Sequence, residues 1–242
     1  MTPYYRSVDG TVIVYHARFE DVLAAGLVPV GDVALIHDDP PYGVNEQTKR
    51  ASKGRGYRLN TRSPGASYDF PAVSGDNAQF DPATILAIGR PTVLWGANHY
   101  GSRCPDSPSW ILWDKREGTT SDDNADGELA WSNLGGPLRI FRHLWRGMIK
   151  ASERTSVRCH PTQKPIALCS WVYRRAKLKR GDLVFVPHLG SGPDLPAAQA
   201  MGLRVIACEV EEMYCRTAVA RLGAAPHPVT GAGLGPLFGG AT

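Results

Sequence analysis

Residues 183–209 read LVFVPHLGSGPDLPAAQAMGLRVIACE. Leu183-Val184-Phe185-Val186 is a short apolar run of the kind that forms a buried strand. Gly190-Ser191-Gly192 follows at a strand-to-helix turn, where small residues let the backbone approach a ligand. Pro193 to Met201 predicts a helix. Pro193 suits its first turn, Asp194 suits its N-terminus, and Gly202 is its stop. Arg204 to Cys208 predicts a second buried strand, ending at Glu209. Strand, glycine turn, helix and strand form a βαβ unit, with an acidic residue roughly 20 positions on. The chain is therefore read as α/β, with ligands expected at the carboxyl edge of a parallel sheet.

Upstream, His160-Pro161-Thr162-Gln163-Lys164-Pro165 opens a predicted helical run through about Lys179, closed by Gly181-Asp182. Near the start, Val33-Ala34-Leu35-Ile36 reads as another buried strand, followed by Asp39-Pro40-Pro41-Tyr42-Gly43. Two prolines end that strand and stiffen the turn. A carboxylate, two fixed carbonyls and an aromatic ring are thereby held at the sheet edge. An exocyclic amino group could donate one hydrogen bond to Asp39 and one to the Pro40 carbonyl while Tyr42 stacks on its ring. Holding both hydrogens lets the nitrogen pyramidalise and aim a lone pair that is otherwise delocalised. A base in a duplex reaches such a pocket only by leaving the stack. From these residues alone, a Pro-Pro turn beside a solvated Asp is the competing reading.

Three cofactor classes compete for the glycine turn. A nucleoside triphosphate site wants Gly-Lys-Ser/Thr after the loop, and that lysine is absent. A nicotinamide site wants a third glycine near Leu195. S-adenosylmethionine carries no phosphate and needs a close backbone turn, a ribose acceptor and partners for its amino acid end. The chain supplies the first two.

With these motifs in this order, the chain resembles amino-directed DNA methyltransferases of the permuted β-class, in which the catalytic motif precedes the cofactor motif. The resemblance rests on Asp39 to Gly43, His160 to Pro165, Leu189 to Gly192, Glu209, Tyr214 and Ala218 to Leu222. Compact phage and prophage members are the most similar in look. They share His-Leu-Gly-Ser-Gly (His188 to Gly192), Trp-Asp-Lys (Trp113 to Lys115) and Glu-Leu-Ala-Trp (Glu128 to Trp131).

The resemblance implies a Rossmann-like methyltransferase fold: a seven-stranded, mostly parallel sheet with helices on both faces. It implies S-adenosyl-L-methionine as cofactor and methyl transfer to the N6 amino group of a flipped adenine, since an Asp opening the tetrapeptide is typical of adenine enzymes. Cytosine-N4 transfer is one alternative. A DNA-binding homologue with weak or lost donor binding is another, as is methylation of RNA or a protein amide. The implied catalytic residues are Asp39, Pro40, Pro41 and Tyr42. The implied donor-binding residues are His160, Lys164, His188, Gly190, Ser191, Gly192 and Glu209, with Asp39. Two departures bear on the donor. Val186 stands where the family places an Asp for the donor's ammonium, and a valine cannot accept that hydrogen bond. Ala17-Arg18 stand where a Gly-Asp pair meets the donor's adenine.

Composition agrees with one globular domain. The chain has 242 residues, 43% of them hydrophobic, and a net charge of +4. The size suffices for a good core. No apolar run is long enough to span a membrane, and no signal-peptide pattern opens the chain. Five scattered cysteines argue against a zinc pair or a disulfide framework, so a reducing cytoplasm is expected and no metal is. The domain is placed at 1–222, with a basic loop insertion at 44–80, a short target-recognition segment at 137–159 and a flexible Gly/Ala/Pro-rich tail at 223–242.

The charge is unevenly spread. Residues 49–62 read KRASKGRGYRLNTR, with six basic residues and no acidic one. Lys49, Arg50, Lys53 and Arg55 there are expected to meet DNA phosphates, against a plain solvated loop. Arg139, Arg142, Arg146, Lys150, Arg154 and Arg158 recur at steps of three or four. They predict a helix with a basic face and a buried face of Ile140, Leu144 and Met148, although Gly147 weakens it. Double-stranded DNA is the expected partner. A homodimer is admitted beside it, since many relatives dimerise.

Overall fold

The computed structural model describes residues 1–44, 49–50, 68–69, 73–119, 125–146, 149–154, 159–160 and 162–223, with backbone alone for 49–50, 68–69, 146 and 223. In the first half lie β1 (Tyr5–Arg6), β2 (Val12–His16), α1 (Phe19–Ala24), β3 (Val33–Asp38), β4 (Lys49–Arg50), β5 (Tyr68–Asp69), α2 (Ala83–Leu86), β6 (Thr92–Trp95) and β7 (Ile111–Asp114). Then come β8 (Gly127–Ser132), β9 (Arg139–Arg142), β10 (Trp145–Arg146), β11 (Ile149–Lys150) and α3 (Ile166–Arg175). The chain closes with β12 (Leu183–Val186), α4 (Asp194–Met201), β13 (Arg204–Glu209) and α5 (Glu212–Ala220).

Among the described residues, nine strands form one sheet in the order β1-β2-β13-β12-β3-β6-β8-β7-β9. Five neighbouring strands, from β2 to β6 in that order, run parallel. β8 is antiparallel to both β6 and β7. The sheet is thus larger than the seven strands the resemblance implied, and mostly parallel as expected.

Alternation along the buried strands sends successive side chains to opposite faces. Val205 and Ala207 of β13 join one core with α3, α4 and α5. Ile206 and Cys208 join another with α1 and α2. Helices therefore cover both faces, as a parallel sheet requires.

The βαβ reading of 183–209 holds. β12 and β13 pair in parallel around α4, and Gly202 ends that helix in the left-handed conformation at φ 64°. The helix after Lys164 begins later than expected, at Ile166, because Pro165 caps it with extended backbone.

Among the described residues, the helix expected from Arg139 onward is not formed. Residues 139–142 are a strand paired in parallel with β7, and β10 and β11 form an antiparallel hairpin. Phe141 is buried against the core, while Ile140, expected on a buried face, is exposed. Strand pairing here overrides a spacing that only mimics helical period. Met148, Arg158, Lys53, Arg55 and the tail beyond Gly223 lie outside the described residues.

Two chain directions diverge at the centre of the sheet. From β12 the chain moves through α4 to β13 on one side. From β3 it moves through α2 to β6 on the other. β12 and β3 are themselves neighbours, so the gap between their carboxyl ends is a topological switch point, where α/β sheets bind ligands.

Candidate active site

At the end of β3, Asp39 and Tyr42 face a buried charge cluster. The Lys164 ammonium lies 2.5 Å from Asp39 Oδ1 and 2.7 Å from Glu128 Oε1, and it donates to the Tyr42 hydroxyl at 3.0 Å. The Tyr42 hydroxyl in turn meets two acceptors, Asp39 Oδ1 and Glu128 Oε1, the latter at 2.8 Å. Lys115 holds the other Glu128 oxygen at 2.8 Å. Antiparallel pairing of β7 and β8 brings Lys115 and Glu128 to the centre from one hairpin.

Charge states follow from this packing. Burial raises the Asp39 carboxyl, and Glu128 adds to the rise while Lys164 opposes it. Burial would raise Glu128 too, but Lys115 and Lys164 together hold it below its ordinary range. Burial alone would lower the Lys164 ammonium, and the two carboxylates outweigh it and raise it. Burial and both carboxylates push the Tyr42 phenol well up. The cluster accordingly holds a Lys164 cation, a Glu128 anion, a neutral phenol and an Asp39 that takes a proton more readily than an exposed carboxylate.

The Tyr42 ring stacks on His99, with centroids 5.2 Å apart and 16° between planes. Its other constraint is Gly96. There φ is +73°, and a Cβ would fall 2.0 Å from the ring.

The glycine turn forms the facing half. The Gly190 amide donates to Glu209 Oε2 at 2.7 Å and the Glu211 amide to Oε1 at 2.9 Å, so Glu209 ties the turn to the end of β13. Gly192, at φ +65°, packs on α5, where a Cβ would lie 2.4 Å from that of Ala218. Arg221 donates to the Ser191 carbonyl at 2.8 Å and pairs with Glu153 at 2.7 Å. The His160 ring lies against Tyr214, 4.4 Å between centroids. The His188 amide and ring both bond Asp38, at 2.9 and 3.0 Å. Burial would lower the His188 imidazole, but the Asp38 carboxylate outweighs it and raises it.

One cavity of about 1100 Å³ joins the two halves. Asp39, Pro40, Pro41 and Tyr42 line it together with His160, Lys164, His188, Gly190, Ser191 and Glu209. Small-molecule sites take roughly 300–1,000 Å³, so this space is at the upper end of that range.

Some expected site residues stand elsewhere. Gly192 is not on the wall and serves helix packing. Lys164 joins the Asp39 cluster rather than the glycine turn. Val186 is 1% exposed within the core and off the cavity wall, so the departure read there does not face the ligand space. Arg18 does line the cavity and pairs with Glu20 at 3.1 Å, which places a carboxylate two residues beyond the expected one. Arg139 and Arg142 are exposed on the edge strand β9, and Arg142 lies 3.7 Å from Asp114. Lys49, Arg50 and Arg146 have described backbone only.

Sequence reasoning assigned no role to Glu128, Lys115 or Asp38. The only signal for the first two was their place in the Trp-Asp-Lys and Glu-Leu-Ala-Trp matches. It also missed a buried chain in which the Trp95 indole donates to His37 Nε2 at 2.8 Å and His37 Nδ1 meets Asp194 at 2.5 Å. An indole N–H only donates, so His37 carries its proton on Nδ1. With Cys169, these two place ligand-type atoms within 4.8 Å of one another.

Residues 109–220 match a family profile described as DNA methylase. The matched segment is a little under half of the chain. Glu128, Lys164 and the glycine turn all fall inside it, and Asp39 lies outside. The chain is also 32% identical over 84 residues to "Type II methyltransferase M2.DpnII" of Streptococcus pneumoniae, a stretch covering 35% of this chain and 31% of that protein. The match thus spans about a third of that relative's length. Two solved structures share the fold. The crystal structure of the M1.HpyAVI–SAM complex is 18% identical, with 87% of this chain and 100% of that chain covered at a TM-score of 0.51. PvuII DNA methyltransferase (cytosine-N4-specific) is 13% identical, with 90% and 88% covered at a TM-score of 0.56. The likeness of fold to these two structures therefore extends over most of the chain, beyond the matched segment.

Proposed function

We propose that this protein is an S-adenosylmethionine-dependent DNA methyltransferase that modifies the N6 amino group of an extruded adenine. The observation that carries the reading is the shared cavity, with Asp39-Pro40 on one wall and the Gly190 turn and Glu209 on another. The family match and the M1.HpyAVI–SAM fold support the donor. The residues present suit it. A turn open at Gly190 and a carboxylate bordering the same space are what a phosphate-free nucleoside donor needs, and the volume leaves room for a base.

The bound donor would supply an electrophilic methyl group on a sulfonium. Gly190, Ser191, His188 and His160 would shape its seat, and Glu209 would accept from its ribose. Asp39 and the Pro40 carbonyl would each accept one hydrogen of the target amine and aim its lone pair. Tyr42, backed by His99, would stack on the base. After transfer the nitrogen carries one proton too many. Asp39 is the carboxylate already bonded to it, and its raised affinity suits it to take that proton. Exposed Arg139 and Arg142 would meet the phosphate backbone, which positions a duplex without reading it.

Adenine is favoured over cytosine because Asp39, rather than Ser, opens the tetrapeptide. Unmethylated DNA is incubated with protein and labelled donor, digested to nucleosides and analysed by mass spectrometry. N6-methyladenine is expected. N4-methylcytosine would replace the base assignment and keep the reaction. No labelled nucleoside, together with no heat on titrating millimolar donor, would overturn the enzyme reading.

A further inference from the structure

The Asp39 cluster has more partners than the proposed reaction uses. Lys164 Nζ and the Tyr42 hydroxyl both touch the same two oxygens, Asp39 Oδ1 and Glu128 Oε1. An amino group can take Oδ1 of Asp39 only if these donors give way. In a buried site, a donor or a cation released without a new acceptor is costly. Glu128 is the acceptor that both already contact, so each keeps an anionic partner when Asp39 turns to the amine. Lys115, on the far oxygen of Glu128, pins that carboxylate in place. The Glu128 side chain is only 12% exposed, so water is a poor substitute.

We infer that Glu128 is a positioning residue for methyl transfer, resting on the reading above: it holds Lys164 and Tyr42 so that Asp39 is free to engage the target amine. No bond to the substrate is required of it. Without the Glu128 charge, Asp39 is the only one of the two carboxylates left to Lys164, and the incoming amine must break that ion pair.

The groups facing Asp39 are Lys164, Glu128 and Tyr42, with Lys115 behind Glu128. Removing Glu128's charge removes the repulsion that raises Asp39, and Lys164 then acts on Asp39 alone. Both changes lower the pH at which Asp39 ionises. Rate that depends on ionised Asp39 is lost as pH falls, so its acid limb moves to lower pH.

The test uses the full chain as wild type, Glu128→Gln and Glu128→Asp. Single-turnover methyl transfer is measured at saturating donor and DNA across pH, with donor affinity by calorimetry, DNA affinity by anisotropy and folding by thermal melt. Glu128→Gln is expected to lower the single-turnover rate about 30-fold or more with both affinities within about threefold, and to shift the acid limb downward. Glu128→Asp keeps the charge one methylene further back and is expected to fall between the two. It carries the comparison if Glu128→Gln does not fold. A Glu128→Gln rate within about threefold of wild type, an unmoved acid limb, or a loss of donor affinity that parallels the loss of rate would overturn the inference. An active wild type with an unaffected variant counts against Glu128 alone. A wild type that transfers no methyl group counts against the function itself.

Discussion

At the residue scale, burial decides more than identity. Val186 occupies the position of a family carboxylate, yet it sits in the core shared by α3, α4 and α5. Val186→Asp would bury a carboxylate in an apolar core. It is expected to destabilise the fold by several kcal/mol, of order 3 or more, without tightening the donor; thermal melts and calorimetry check both. His188 is the opposite case. Its tie to Asp38 raises the imidazole above its ordinary 6.5, despite burial. A raised histidine contributes stability that is fully present below that ordinary value and lost as pH rises through the folded one. The gap in melting temperature between wild type and His188→Asn should thus be widest in mild acid and narrow in alkali. His188 was legible as part of a motif. Asp38, its partner 150 positions away, was not, because no local pattern joins two residues that meet only across β3 and β12.

At the element scale, turns and strands separate sharply in how well they can be read. The β12–α4–β13 unit was legible because its signals are local: an apolar run, small residues, a proline at the helix start and a left-handed glycine at its stop. The region from Arg139 was misread because arginines at steps of three and four carry no information about pairing. β9 is a strand only because β7 lies beside it. Gly96 tests how the Asp39–Tyr42 turn depends on its neighbour. Any side chain there meets both a φ of +73° and the Tyr42 ring. Gly96→Ala is expected to cost about 1–3 kcal/mol of stability and to lower methyl transfer by displacing Tyr42. A melt and a rate measured on the same sample separate the two effects. If the rate is unchanged while stability falls, the ring is not held by that glycine.

At the scale of the whole molecule, the fold brings Asp39 and Gly190 to one cavity from opposite ends of the chain, because β3 and β12 are neighbours at the switch point of the sheet. Charge completes the picture. Arg139 and Arg142 are exposed at the sheet edge. Replacing both with Ala is expected to weaken binding to any DNA sequence and to reduce the salt dependence by about two counterions, read from affinity against log salt. Unchanged salt dependence would remove β9 from the interface. The sequence by itself determined the α/β class, the glycine turn and the Pro-Pro turn that ends β3, because each rests on signals between residues near one another in the chain. Only the tertiary structure decided that Glu128 and Lys115 join the Asp39 cluster, that Val186 faces the core and that Arg139, Arg142 and Arg146 stand on strands. Those outcomes depend on which strand lies beside which, a long-range choice that spacing alone does not encode.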